Sequence, residues 1–156
     1  MTPRLNPVAA AAASMKAWLD FSTGAHEGLD AGLLELIKIR SSQLNSCAGC
    51  LDIHVKAARE LGETEERIYL LNAWRECALY TPRERAALAW TEALTLVATE
   101  RAPDDVYAEL KANFTDEEQV KLTLIINVIN GWNRIAIGFN LGPTSRTQRA
   151  AAWKAA

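Results

Sequence analysis

Two cysteines and one histidine fall within eight residues of the chain, at Cys47, Cys50 and His54. The chain has three cysteines and two histidines in all, so this segment holds most of these reactive side chains. Since an α-helix turns about 100° per residue, intervals of three and four residues bring the three side chains within roughly 60° of one helix face. The spacing therefore predicts one shared pocket and a candidate active site.

Cysteine chemistry requires a thiolate, and the surroundings of this pair favour one. Ser46 is predicted to cap a helix from Cys47 to Leu61, whose positive end and unpaired N–H groups would stabilise a thiolate, as would His54. A sulfenic acid on one cysteine can condense with the other thiol, which predicts a reducible disulfide cycle. Cys50 is closer to His54 and is the candidate attacking thiolate. Cys47, expected at the exposed helix start, is the candidate resolving thiol and the entry point for an external reductant.

The Cys-x-x-Cys pattern also occurs in haem attachment and in zinc sites. Covalent haem attachment requires a histidine directly after the second cysteine, and Leu51 stands there. Zinc is an alternative, with Cys77 or Glu35 as a fourth ligand, although no second ligand cluster is nearby. Both cysteines of the pair could also pack as small hydrophobic residues. Cys77 itself lies among apolar neighbours and is expected to be inert.

The elements that must position this pocket are predicted to be helices. The segment from Asp30 to Leu44 has apolar residues at three- and four-residue spacing, which is typical of an amphipathic helix. Glu35 lies beside the apolar stripe, where the residues alone suggest a solvated carboxylate. Arg40 falls within the stripe; we expect its stem to be buried and its head to reach the surface or a carboxylate, with a buried ion pair in an interface as the alternative.

Capping patterns predict the remaining helices. They run from Pro7 to about Phe21, from Thr64 through Trp74, from Pro82 to about Thr99, from Pro103 toward Phe114 and from Thr115 to Phe139. The last of these is apolar on every side, so it must be surrounded by its own domain or by another subunit, and we expect part of it at an oligomer contact. The tail at 143–156 is too mixed to interpret; it either packs on a neighbour or hangs free.

Length and composition predict a single all-α domain over residues 1–156, since 49% of the chain is hydrophobic and 23% is charged. A net charge of -2 argues against binding of nucleic acid. An odd number of cysteines fits a reducing compartment, so a cytoplasmic location is expected. No stretch approaches the roughly 18 apolar residues of a membrane span, so no membrane association is expected.

A family resemblance rests first on the stretch from Glu35 to His54, which reads ELIKIRSSQLNSCAGCLDIH. Three downstream segments add to it: TPRERAAL at 81–88, TEALT at 91–95 and NGWNRIA at 130–136. Together these segments resemble the alkylhydroperoxidase D-like branch of the carboxymuconolactone decarboxylase family. The resemblance spans about residues 30–142, which are therefore the expected core of the domain.

The resemblance implies an all-helical fold that associates into dimers, trimers or hexamers. It implies a catalytic set of Glu35, Cys47, Cys50 and His54, which stand at the family's spacing. Glu35 would then reach His54, and the two would form a proton relay to Cys50. The substrate would be a hydroperoxide, and the electrons would come from a dithiol reductant, in some members a lipoylated or thioredoxin-like protein. No cofactor and no metal are expected.

The chain departs from the pattern of some peroxidases of this type, which carry a second histidine just before the second cysteine. Gly49 stands there, which bears on turnover and on any dependence on that proton donor. His26 precedes the helix and is expected to be a loop residue rather than a replacement. The decarboxylase branch works on a lactone acid without a Cys-x-x-Cys pair, so the two cysteines argue against that activity.

The sequence therefore predicts a thiol peroxidase that works through a Cys47–Cys50 disulfide. Two alternatives remain open. One is a thiol–disulfide reductase or redox partner that meets peroxide only slowly. The other is a non-enzymatic redox sensor or a structural zinc module.

Overall fold

Helices account for all of the regular structure in residues 2–143, which are the residues that the computed structural model describes; no strand occurs among them. The α-helices in chain order are α1 (Pro7–Ala10), α2 (Ala12–Gly24), α3 (Ala31–Leu44), α4 (Ala48–Glu60), α5 (Glu65–Leu70), α6 (Pro82–Thr95), α7 (Asp104–Asn113) and α8 (Asp116–Gly138). A short 3₁₀ helix (Leu71–Glu76) continues α5. The all-α prediction is confirmed.

Helix α3 lies at the centre of the fold, where it packs against α4, α6 and α8. Asp30 begins it as predicted, because its carboxylate accepts a hydrogen bond of 2.8 Å from the Leu33 N–H. Nine of its 14 residues are buried, so the helix is enclosed over most of its circumference rather than on one stripe. Polar side chains on such a helix must find partners inside the protein.

Two apolar clusters fix the rotation of α3. One joins Leu33, Leu34 and Ile37 to residues of α6, α7 and α8, among them Trp90, Leu110 and Ile125. The other joins Leu36 and Ile39 to α4, α5, the 3₁₀ helix and α6 through residues such as Ala58, Leu71 and Leu88. Since both clusters hold side chains of α3, the directions of its polar side chains are set as well.

Two helix starts that the sequence predicted are confirmed by complete capping boxes. Thr81 accepts from the Glu84 N–H at 3.2 Å, and the Glu84 carboxylate accepts from the Thr81 N–H at 2.8 Å. Thr115 and Glu118 form the same reciprocal pair at the start of α8. The first of these helices, α6, ends at Thr95, four residues before the predicted Thr99.

Two predicted helices are interrupted. The N-terminal one breaks at Ala11, whose φ of −145° is not helical, and then continues to Gly24, beyond the predicted end at Phe21. The one beginning after Thr64 becomes a 3₁₀ helix at Leu71, and Ala73 inside it is non-helical with φ −117°.

Helix α8 has eight buried residues among its 23, and other apolar side chains point outward, with Val120 60% and Ile137 48% exposed. The predicted oligomer contact therefore has apolar surface available and stays a prediction. None of the helices in residues 2–143 has the length and apolar character needed to cross a bilayer. The predicted tail, with Arg146, Arg149, Trp153 and Lys154, lies outside the described residues.

Candidate active site

The turn between α3 and α4 contains Ser46 in the left-handed backbone region, with φ 55°. The Ser46 N–H donates to the Gln43 carbonyl at 3.1 Å, and the Cys47 N–H donates to the Ser42 carbonyl at 2.9 Å. This is the hydrogen-bond pattern of a Schellman motif, so Ser46 ends α3. The prediction that Ser46 caps the next helix is wrong; Cys47 is the N-cap of α4, and no side-chain capping bond forms there.

Cys47 and Cys50 are joined by a disulfide, with their Cα atoms 5.4 Å apart. The pair lies in the first turn of α4, where the positive end of the helix favours negative charge. Cys47 is 2% exposed and Cys50 is 5% exposed. The expectation of an exposed Cys47 is therefore wrong; the chain after α8 approaches this turn, with Leu141 and Gly142 close to Gly49.

Glu35 and His54 are in direct contact. The His54 Nδ1 atom lies 2.8 Å from Glu35 Oε2, although the two residues are 19 positions apart in the chain. Glu35 is 8% exposed, so it is not the solvated carboxylate that the residues alone suggested. The contact is the one that the family resemblance implied.

Burial opposes ionisation of Glu35, yet the hydrogen bond with His54 and the positive charge of Lys38 outweigh it and hold the pKa of the Glu35 carboxyl below its usual range. An ionised carboxylate only accepts hydrogen bonds, so His54 Nδ1 carries a proton, and in an uncharged imidazole Nε2 is then an acceptor. This arrangement can remove a proton from a nearby thiol.

Lys38 is a residue of this site that the sequence reasoning missed. Its Nζ atom donates to Glu35 Oε1 at 2.8 Å, and the residue is only 8% exposed. Glu35 therefore bridges an ammonium and an imidazole, one on each oxygen. The spacing of three residues on one helix was a signal for the ion pair, but it did not indicate burial. Glu35, Lys38 and His54 are called the Glu35 cluster below.

His26 also belongs to these surroundings. It lies in a turn after α2, as predicted, but its ring is half-buried and its Nε2 atom is buried without a hydrogen-bond partner. Burial lowers the pKa of His26 below its usual range, and the positive charge of Lys38 adds to this effect while Glu35 opposes it. No residue spacing indicates that His26 approaches these residues, since the approach depends on how the turn after α2 packs.

A buried polar network holds the end of α3 against α8. The Asn45 side-chain amide donates to the side-chain oxygens of Asn130 and Asn133, both at 2.9 Å. Asn133 in turn donates to Ser42 at 3.1 Å, and Asn130 to Thr95 at 3.0 Å. The network fixes the turn that leads into the cysteine pair. The sequence reasoning noted the segment containing both α8 asparagines but assigned it no role.

Gly49 lies where a neighbouring backbone approaches most closely. A Cβ atom placed on Gly49 would lie 2.8 Å from the Leu141 carbonyl oxygen and 3.4 Å from Gly142. The space that a side chain at this position would occupy is filled by the chain after α8. A histidine is therefore excluded here unless that segment moves, which gives a physical reason for the departure from the pattern of some peroxidases.

A second ionic cluster lies on the other side of α3. Arg40 donates to Glu92 at 2.7 Å, and the Trp74 indole donates to the same carboxylate oxygen at 2.8 Å. Arg75 binds the other oxygen. These four residues are called the Glu92 cluster. Arg40 thus reaches a carboxylate within the chain, as the first of the two alternatives for this residue predicted.

An open groove of about 680 Å³ runs from Arg40 of this cluster to the turn that precedes α4. Arg40 and Asn72 line it at one end, and Ser46 and Ala48, the neighbours of Cys47, line it at the other. Neither cysteine lines the groove, which reaches only the residues that flank Cys47 in the chain.

The zinc hypothesis finds no ligand set in residues 2–143, where no three His, Cys, Asp or Glu side chains are grouped to hold a metal. Cys77, its suggested fourth ligand, is a free thiol that packs against the apolar cluster around Leu36 and Leu71. Glu35, the other suggestion, is engaged with Lys38 and His54.

Known proteins resemble the chain over most of its length. The model of the carboxymuconolactone decarboxylase family matches residues 12–93. The uncharacterised protein YdfG of Bacillus subtilis is 53% identical over 103 residues, which are 66% of this chain and 70% of that protein.

Solved structures extend the comparison to nearly the whole fold. A protein of unknown function from Agrobacterium tumefaciens, suggested to be the antioxidant defence protein AhpD, superposes with a TM-score of 0.89 at 42% identity, covering 93% of this chain and 100% of that one. The debrominase Bmp8 has a TM-score of 0.70 at 18% identity, covering 88% and 74%, a likeness of fold alone.

Proposed function

Because the chain belongs to the carboxymuconolactone decarboxylase family, in its alkylhydroperoxidase D-like branch, we propose that it is a thiol peroxidase that reduces hydroperoxides through a Cys47–Cys50 dithiol–disulfide cycle. One observation carries the proposal. The disulfide at the start of α4 shares its helix with His54, whose Nδ1 atom is held by the buried carboxylate of Glu35.

In the first step, His54 Nε2 takes the proton of the Cys50 thiol, and the thiolate attacks the terminal oxygen of the hydroperoxide. The S–O bond forms as the O–O bond breaks. Cys50 is oxidised to a sulfenic acid, and the hydroperoxide is reduced to an alkoxide that takes the proton back from His54 and leaves as an alcohol. The positive end of α4 supports the thiolate before the attack.

In the second step, the Cys47 thiol attacks the sulfenic acid, and water leaves as the disulfide forms. A dithiol reductant then reduces this disulfide by thiol–disulfide exchange and is itself oxidised. We expect the donor to be a lipoylated or thioredoxin-like protein.

The burial of both cysteines supports a small substrate. With exposures of 2% and 5%, both are enclosed in this conformation, and we expect a small hydroperoxide to approach from the groove at Ser46 and Ala48. A protein donor would reach the disulfide only after this turn opens. The debrominase with the same fold indicates that fold alone does not select the substrate, so the proposal stands on the residues of the site. Association into an oligomer through the exposed apolar side chains of α8 is part of the proposal.

Stopped-flow mixing of the reduced full-length protein with hydrogen peroxide or cumene hydroperoxide tests the proposal. We expect Cys50→Ser to lose the reaction by about 1,000-fold or more, since it removes the nucleophile. Cys47→Ser should keep the first step and accumulate a sulfenic acid on Cys50 that a dimedone probe traps. Cys77→Ser is the matched control and should react like the wild-type protein.

Wild-type protein that reacts no faster than a free thiol would refute the proposal. If that protein nevertheless reduced a disulfide substrate rapidly, the reductase alternative would take its place. A sulfenic acid trapped on Cys47 in the Cys50→Ser variant would exchange the roles of the two cysteines.

A further inference from the structure

Lys38 is a buried charged residue that the proposed reaction does not use. Among residues 2–143, Glu35 and Lys38 are the only charged side chains in the buried class; the other buried polar residues are serines, threonines, asparagines and a glutamine. A buried ammonium is costly unless it is paired and hydrogen-bonded. Its position against the carboxylate that holds His54 therefore calls for a functional explanation.

The two oxygens of Glu35 are divided between two donors. Oε1 accepts from Lys38 Nζ at 2.8 Å, and Oε2 faces His54 Nδ1 at 2.8 Å. With the ammonium in place, the Glu35–Lys38 pair is neutral, and an uncharged His54 can donate from Nδ1. Without it, the buried carboxylate would gain most from a proton on His54. An imidazolium has no free nitrogen with which to accept a thiol proton.

Among residues 2–143, Lys38 and His54 are the cationic side chains paired with Glu35, and no other cation takes the place of Lys38 there. His26, from the turn after α2, is near, but its half-buried ring has its pKa lowered by burial and by Lys38, which favours the neutral form. Lys121 of α8 reaches the same turn at Gly28, but it pairs with Glu117 at 2.7 Å. The buried polar side chains that α6 and α8 contribute to the interior are uncharged: Thr91, Thr95, Gln119, Asn130 and Asn133.

We propose that Lys38 is a positioning residue that supplies the permanent counter-charge of Glu35 and so leaves His54 uncharged and able to act as the base. The inference rests on the proposed function for the role of His54. The charge state of His54, however, is measurable in the absence of any substrate, so the two proposals can fail separately.

The test is an NMR titration of the two histidines in the oxidised full-length protein, with a His26→Gln variant to assign the signals. Lys38→Met removes the ammonium and keeps a side chain of similar length, while Lys38→Arg keeps the charge. We expect the titration midpoint of His54 to rise by about one pH unit or more in Lys38→Met, a tenfold change in proton affinity. In Lys38→Arg it should stay close to the wild-type midpoint.

A double variant keeps the test valid if Lys38→Met alone is poorly folded. Lys38→Met combined with Glu35→Gln removes both charges, which proteins tolerate better than loss of one partner. Because the removed pair is neutral, His54 should titrate near its wild-type midpoint in the double variant. A midpoint that does not rise in Lys38→Met, or that rises equally in the double variant, overturns the inference.

The peroxide reaction provides a second readout. Its rate should rise with pH as His54 loses its proton. In Lys38→Met this rising limb of the pH–rate profile should move to higher pH by the same amount as the NMR midpoint. A limb that stays in place while the midpoint moves would overturn the link to the reaction. If the wild-type protein proves inactive toward peroxide, the proposed function fails, and the titration alone still decides the charge role of Lys38.

Discussion

The Glu35 cluster and the Glu92 cluster are built alike on opposite sides of α3. Each centres on one largely buried glutamate whose two oxygens bind donors from different parts of the chain, at 2.7–2.8 Å where Arg40, Trp74, Lys38 and His54 donate. In both, burial opposes ionisation, but hydrogen bonds and positive neighbours hold the pKa of the carboxyl below its usual range. Electrostatic stabilisation of the carboxylate is therefore common to both.

The difference lies in the donors. The Glu92 cluster uses guanidinium and indole N–H groups, which keep their protons at any pH the protein survives. The Glu35 cluster uses an imidazole, which changes charge near neutral pH, and an ammonium. A largely buried carboxylate forms a pH-independent contact between helices when its partners cannot titrate. It becomes a proton-exchanging site when one of them can.

Replacing each carboxylate by its amide tests the difference between the two clusters and should have the largest effect. Glu35→Gln should slow the reaction of the Cys50 thiol by about 10- to 100-fold, because His54 loses the group that orients it and raises its basicity. Glu92→Gln should leave that rate within about twofold and lower the free energy of unfolding by about 1–3 kcal/mol. The measurements are the pH dependence of cysteine alkylation in the reduced protein and urea unfolding.

Each variant serves as the control for the other, since both lose a buried carboxylate. If Glu35→Gln alkylated with an unchanged pH dependence, the relay would be wrong. If Glu92→Gln slowed alkylation as much as Glu35→Gln, the distinction between the two clusters would be lost.

The first turn of α4 and the end of α8 should differ in their tolerance of an added methyl group, because backbone encloses the first turn of α4. Gly49→Ala puts a Cβ atom 2.8 Å from the Leu141 carbonyl oxygen, so it should destabilise the fold by about 1–3 kcal/mol. Gly138→Ala is the matched control, since nothing lies within 4 Å of its Cβ position at the end of α8. It should be neutral or stabilising by up to about 1 kcal/mol.

Thermal or urea unfolding of these two glycine variants decides the point. Equal stabilities would mean that the segment after α8 yields easily. A histidine at position 49 would then be compatible with this fold.

Acid should reveal what the two clusters share. An unfolded glutamate has a pKa near 4.5, and the folded pKa of Glu92 is lower, so below pH 4.5 the unfolded chain binds more protons. The stabilisation from Glu92 is therefore complete above that pH and is lost as the pH falls through the folded value. The stability difference between the wild-type protein and Glu92→Gln should therefore be smaller at pH 3.5 than at pH 7.

Urea unfolding at the two pH values measures this difference. A gap of constant size would show that Glu92 contributes through packing rather than through its charge. The stability difference between the wild-type protein and Glu35→Gln should also be smaller at the lower pH, because the pKa of Glu35 is lowered as well.

Much of the fold could be predicted because the signals are local. Helix starts at Asp30, Thr81 and Thr115 depend on a side chain that bonds to a backbone N–H three residues away, which the sequence states directly. Interruptions within helices were harder to predict from the sequence. The break at Ala11 has no local signal, since alanine is the best helix former.

The sequence by itself determined that two thiols and His54 share one helix, because intervals of three and four residues have a fixed meaning in helix geometry. It also determined, through family resemblance, that Glu35 belongs with them. Their roles in catalysis remain predictions that the experiments above address.

Only the tertiary structure decided the surroundings of these residues. It put Lys38 in the interior, brought His26 to the same place, buried Cys47 and filled the space beside Gly49 with the chain after α8. These features depend on contacts between segments far apart in the chain, made when α3, α4 and α8 pack together. No local spacing encodes such contacts, so a pattern of residues can name a reactive pair but not the charges that surround it.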